Sequence, residues 1–136
     1  MNFVINNWYL FLALIVVVYL LASEPAMLKA AGVKLVTVQE ALRLMNNGNA
    51  TVVDVREPKE FEQGHIAQCR NIPLGKLRER MGELEKAKAK PVIVICRTGN
   101  RSKKGAMTLG KSGFTQVYSM MGGQVAWERD NLPLEK

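Results

Sequence analysis

The sequence predicts an α/β fold, a parallel sheet with helices on both faces, preceded by one N-terminal transmembrane helix. Three observations carry this. The chain opens with about 20 almost wholly apolar residues, roughly the length needed to cross a bilayer as a helix. Short Val- and Ile-rich runs then alternate with stretches of helical spacing, the pattern of strands joined by crossover helices. One of those runs, Pro91-Val92-Ile93-Val94-Ile95, shows no polar alternation, as a strand buried on both faces requires.

The opening segment from Trp8 to Ala22 holds no charge, and Trp8, Tyr9 and Tyr19 lie near its ends, where amphipathic rings favour the membrane interface. A cleaved signal peptide would need a basic start and small residues before its cleavage site. Met1 to Asn7 has no Lys or Arg, and Leu20 and Ala22 make a poor site, so an uncleaved anchor over residues 1–23 is expected. Every Lys and Arg follows this segment, beginning at Lys29 and Lys34. The positive-inside rule then predicts a single-pass protein of the inner (cytoplasmic) membrane with its C-terminal part in the cytoplasm. Ser23 to Gly32 reads as a linker with Pro25 stopping the helix, which divides the chain into anchor 1–23, linker 24–33 and domain 34–136.

Within the domain, Lys34–Thr37 reads as a strand. Val38, Ala41, Leu42 and Met45 are spaced for a helix that Asn46-Asn47-Gly48-Asn49 ends. Thr51–Val55 is the next strand, Glu60–Gln63 a single helical turn, and Cys69–Ile72 a short strand stopped by Pro73. Leu74, Leu77, Met81 and Leu84 predict a second long helix. Val92–Cys96 is the central strand, Ser102–Ser112 a helix with Gly113 as its stop, Gln116–Ser119 the last strand and Gly122–Arg129 the last helix.

Composition narrows the function. With 136 residues, 48% hydrophobic and 23% charged, the chain has the makeup of one globular domain rather than a disordered one. Two cysteines do not make a disulfide framework, and a lone His65 provides no metal cluster, so no metal site is expected. The net charge of +7 reads equally as a solvated basic surface or as attraction to anionic lipids and substrates. Nucleic-acid binding is not expected, because basic and aromatic residues do not interleave in any recognised motif.

The chemistry centres on Cys96-Arg97-Thr98-Gly99-Asn100-Arg101-Ser102. A cysteine at the carboxyl end of a buried strand sits where open α/β sheets bind ligands. The loop behind it can aim backbone N–H groups at the sulfur, a helix adds its positive end, and Arg97 and Arg101 add full charges. All three favour thiolate over thiol and make Cys96 a candidate nucleophile. A buried structural cysteine is the plainer alternative, and the loop argues against it.

Four pieces in order, Asp54-Val55-Arg56-Glu57, Glu60-Phe61 with Gly64-His65-Ile66, Asn71-Ile72-Pro73 and the Cys96 loop, resemble the single-domain rhodaneses, which are sulfurtransferases; Gly122-Gly123 and Trp127 also fit. The resemblance runs from about Lys34 to the C-terminus and implies a five-stranded parallel sheet and no bound cofactor. It implies that Cys96 takes sulfane sulfur from a small donor such as thiosulfate, holds it as a persulfide, and passes it to cyanide or to a thiol acceptor, small or protein-borne. The amides of Arg97, Thr98, Gly99, Asn100 and Arg101 would cradle that persulfide. Arg101 would pair with donor oxygens, and Arg97 either does so too or faces water. Asp54, Arg56 and His65 are expected to be scaffold rather than catalysts. Cys69 stands where the family usually has Ala; it is either a small buried residue or a resolving thiol. Cysteine phosphatases use a Cys-x5-Arg loop, whereas position 102 here is Ser and Arg101 closes a shorter ring, which favours sulfur over phosphoryl transfer. The alternative from another class is a membrane-tethered docking module for a membrane-protein partner.

Overall fold

A computed structural model describes residues 1–136. Five strands, β1 (Val33–Val36), β2 (Thr51–Asp54), β3 (Arg70–Asn71), β4 (Pro91–Ile95) and β5 (Gln116–Met120), form one sheet in the order β1-β5-β4-β2-β3. Every neighbouring pair is parallel, with β4 between β2 and β5. Helices α1 (Asn2–Asn6) and α2 (Trp8–Ala30) precede the sheet; α3 (Val38–Asn46), α4 (Pro58–Gln63), α5 (Asn100–Lys111) and α6 (Gly123–Arg129) connect and follow its strands.

The pleat of β4 shows why its sequence is apolar throughout. Val92 and Val94 pack with Leu109, Ala106 and Leu28 on one face, while Ile93 and Ile95 pack with Ala41, Met120 and Trp127 on the other. Both faces are therefore covered, as an all-parallel sheet demands. Cys96 follows on the α5 face, in the same cluster as Val92 and Val94.

Two expectations are corrected. The helix entering the domain does not stop at Pro25: α2 runs on to Ala30 with the proline inside it. Pro25 has no N–H to give the preceding turn, yet the helix continues because Leu28 and Ala31 have a core to enter. Residues expected to form a linker are thus largely helical. The second long helix is also absent. Two 3-10 turns, Leu74–Lys76 and Met81–Ala87, take its place. Gly75 and Gly82 lower helix propensity there, and Leu77 and Leu84 are buried without a continuous α-helix.

The last two turns of α2 lie against α5. Lys103 Nζ meets Glu24 Oε1 at 2.7 Å, and further along Gly110 sits so close to Ala31 that a Cβ would strike its carbonyl oxygen. From Trp8 onward α2 is long and apolar enough to cross a membrane, and Leu10 to Leu21 present no buried side chain to the domain.

Candidate active site

Strand β4 delivers Cys96 to the carboxyl edge of the sheet, and α5 begins four residues later at Asn100. The intervening loop turns back on the sulfur. Gly99 adopts φ +108, a left-handed conformation that L side chains resist, and its N–H donates to Cys96 Sγ at 3.0 Å. A Cβ at Gly99 would also press on the Gly122 nitrogen at 3.3 Å. The Gly99 carbonyl is held from behind: Ser102 Oγ donates to it at 2.9 Å and shares a second hydrogen bond of 2.9 Å with Ser119 Oγ. Both serines are buried.

A second clamp comes from α6. Gln124 N–H donates to Cys96 O at 2.8 Å and Val125 N–H to Arg97 O at 3.1 Å. That approach needs glycine at 123, where a Cβ would collide with the Cys96 and Arg97 backbone. The Cys96 and Arg97 carbonyls are thereby turned toward α6, and the Gly99 amide is the group that meets the sulfur. Cys96 itself is only 1% exposed. Beside the loop lies a cavity of about 230 Å³ lined by Thr98, Asn100, Lys103 and Met121 among others.

The predicted loop residues separate into two groups. Arg97, Thr98 and Asn100 are exposed around the mouth. Arg101 instead turns to α4, where its Nη1 and Nη2 meet Glu60 Oε1 and Oε2 at 2.7 and 3.0 Å. The Arg101 guanidinium holds the Glu60 carboxyl down at about 2, well below its ordinary range. Glu60 also closes the α4 capping box by accepting the Glu57 N–H at 3.2 Å.

Asp54 and Arg56 form a buried ion pair beneath the site. Arg56 Nε and Nη2 approach Asp54 Oδ2 at 2.9 and 2.8 Å, and Nη2 also donates to the Gly64 carbonyl at 2.9 Å. Asn71 ties this turn together by donating to the carbonyls of Asp54 and Arg56, both at 3.0 Å. His65 stacks on Phe61 with ring centroids 3.7 Å apart, and its Nδ1 lies 2.8 Å from Phe61 O, which requires Nδ1 to carry the proton. Its backbone pairs with Glu135, so its contacts fasten the C-terminal tail. Cys69 packs on the α3–α6 face, the opposite face from Cys96. Burial, then the nearby Asp54 charge, pushes its thiol up to about 12.

Sequence reasoning missed the Glu60–Arg101 fork, the Ser102–Ser119 prop and the two α6 amides. Each joins residues far apart in the chain, and no local spacing announces it.

The rhodanese-like domain family matches residues 37–130. The uncharacterized protein YibN of Escherichia coli is 43% identical over 103 residues, covering 75% of this chain and 72% of its own. The thiosulfate sulfurtransferase GlpE of Pseudoalteromonas translucida is 32% identical over 95 residues, covering 70% of this chain and 89% of its own. Among solved structures, a rhodanese-related protein from Thermoplasma volcanium superposes with a TM-score of 0.67 at 33% identity, covering 75% of this chain and 97% of that one. A cysteine loop of this length on a sheet of this order, together with a match across most of the domain, is enough to place it: the chain belongs to the rhodanese-like domain family, whose relatives include named sulfurtransferases.

Proposed function

We propose that this protein is a membrane-anchored sulfurtransferase that carries sulfane sulfur as a persulfide on Cys96. The observation that carries the reading is the 3.0 Å hydrogen bond from the Gly99 amide to Cys96 Sγ, which stabilises negative charge on the sulfur. The Cys96 thiolate attacks the outer sulfur of a donor such as thiosulfate. A new S–S bond forms to Cys96, the donor's S–S bond breaks, and sulfite leaves with the electron pair. A second nucleophile, a thiolate or cyanide, then takes the outer sulfur and returns the Cys96 thiolate. Splitting the transfer in this way is covalent catalysis.

Amides in the first turn of α5 have no partner within their own helix and are suited to receive the outer, anionic sulfur. Arg97, exposed near the mouth, favours an anionic donor. Thiosulfate suits this setting as a small dianion. The helix α2 supplies the anchor, and the excess of Lys and Arg after it favours a domain facing the cytoplasm, where Cys96 stays reduced.

Intact mass of the full chain in detergent, after incubation with thiosulfate, tests the proposal. A gain of about 32 Da, one persulfide sulfur, that cyanide removes and Cys96→Ser abolishes is the expected result. A folded protein that gains no sulfur from thiosulfate or other sulfane donors would reject it.

A further inference from the structure

The contacts between α2 and α5 also determine which way the active site faces. One end of the contact is the Glu24–Lys103 ion pair. About two helical turns further along both chains, Ala31 meets Gly110. The two segments therefore run parallel, and the amino end of α5, which carries the Cys96 loop, lies at the Glu24 end. Glu24 is the first charged residue after the apolar run, so that end is the bilayer end. Because α5 returns from the carboxyl end of β4 to the amino end of β5, the carboxyl ends of the parallel strands face the same way.

Two apolar side chains stand exposed at that edge, Leu35 of β1 at 40% and Met121 after β5 at 43%. Both line the cavity beside Thr98, Gly99 and Lys103. Met27, 51% exposed on α2, lies just past Glu24 on the helix that enters the bilayer. At 1.5 Å per residue, the start of α5 lies about 4.5 Å nearer the membrane than Lys103. The mouth of the site thus falls within about one helical turn of the level at which α2 leaves the hydrocarbon.

We infer that the Cys96 mouth opens against the bilayer surface and that its sulfur acceptor is an amphiphilic thiol held there. This rests on the sulfur-transfer reading and on α2 spanning the membrane. The acceptor thiolate attacks the outer sulfur of the Cys96 persulfide; the new S–S bond forms on the amphiphile, the Cys96 S–S bond breaks, and Cys96 leaves as thiolate with the electron pair. Leu35 and Met121 provide apolar contact for the acceptor's chain, and the exposed Arg97 provides positive charge for its reacting end. A thiol confined to the surface also arrives at high effective concentration without having to pass between domain and membrane.

The test uses the full chain in phosphatidylcholine vesicles doped with a phospholipid bearing a thiol headgroup. Cys96 is loaded from thiosulfate, and loss of the added sulfur is followed by intact mass. The thiol lipid should discharge the persulfide at least about tenfold faster than glutathione at equal bulk concentration. Separately, Met121→Cys and Lys90→Cys, each in a Cys69→Ser, Cys96→Ser background, are labelled with a fluorophore and exposed to headgroup-level nitroxide lipids. Position 121 should be quenched and position 90, at the amino end of β4, should not. Equal discharge rates, discharge by glutathione alone, or equal quenching at the two positions would overturn the inference. Failure of Cys96 to load at all would instead overturn the sulfur-transfer reading, and the quenching would still decide the orientation.

Discussion

Arg101 and Glu60 form a two-pronged ion pair beside the Cys96 loop, with N–O distances of 2.7 and 3.0 Å. Arg101 was the residue expected to grip the donor's oxygens. Its guanidinium has five N–H donors, and those not directed at Glu60 remain for that task. Glu60 therefore orients the arginine and tethers α4 to the start of α5.

This pair gives a pH-dependent contribution to stability. The Glu60 carboxyl sits at about 2, below its ordinary value of 4.5, so the folded state favours its charged form. Its contribution is fully present above about pH 4.5 and is lost as pH falls toward about 2. Because the pair is partly exposed, Glu60→Gln should cost only about 1 kcal/mol near neutral pH. Urea unfolding across the acid range should show the wild-type and Glu60→Gln curves converging at low pH. A constant gap would show that the pair is not what the substitution removes.

The Asp54–Arg56 pair should matter far more. Both side chains are buried, so Asp54→Asn leaves a buried guanidinium without its countercharge. The expected loss is about 3–5 kcal/mol, read from the chemical denaturation midpoint. A loss below about 1 kcal/mol, the size of a surface pair, would contradict the buried geometry.

Gly99→Ala isolates the loop. The position needs φ +108, and a Cβ there would press on Gly122. A strain of about 1–3 kcal/mol should pull the amide from the sulfur, lowering the rate of persulfide formation by about tenfold or more while circular dichroism stays native. Full activity in this variant would show that the amide contact is dispensable.

Cys69 should be inert. Its thiol, raised to about 12, stays protonated at neutral and mildly alkaline pH, and the thiolate is the reactive form. Native protein treated with iodoacetamide at pH 8 should leave Cys69 unmodified until denaturant is added. Cys69→Ala should transfer sulfur at the wild-type rate; a slower rate would revive a resolving role.

The sequence by itself determined the alternation of strand and helix, the doubly buried β4, the apolar N-terminal helix and the place of Cys96 at the carboxyl end of that strand. These are local facts: periodicity, the absence of polar residues, and a loop motif contiguous in the chain. The long helix read from Leu74 to Leu84 failed because apolar spacing alone cannot show that Gly75 and Gly82 weaken a helix whose leucines are buried by turns just as well. Pro25 misled for the converse reason, since a core that receives Leu28 and Ala31 offsets the hydrogen bond a proline withholds. Only the tertiary structure decided what Arg101 holds, which serines prop the loop, that α6 lends two amides to the Cys96 backbone, and that α2 lies parallel to α5. Those relations join residues distant in sequence, and folding brings them together by packing two faces of one sheet, a constraint that no single stretch of chain contains.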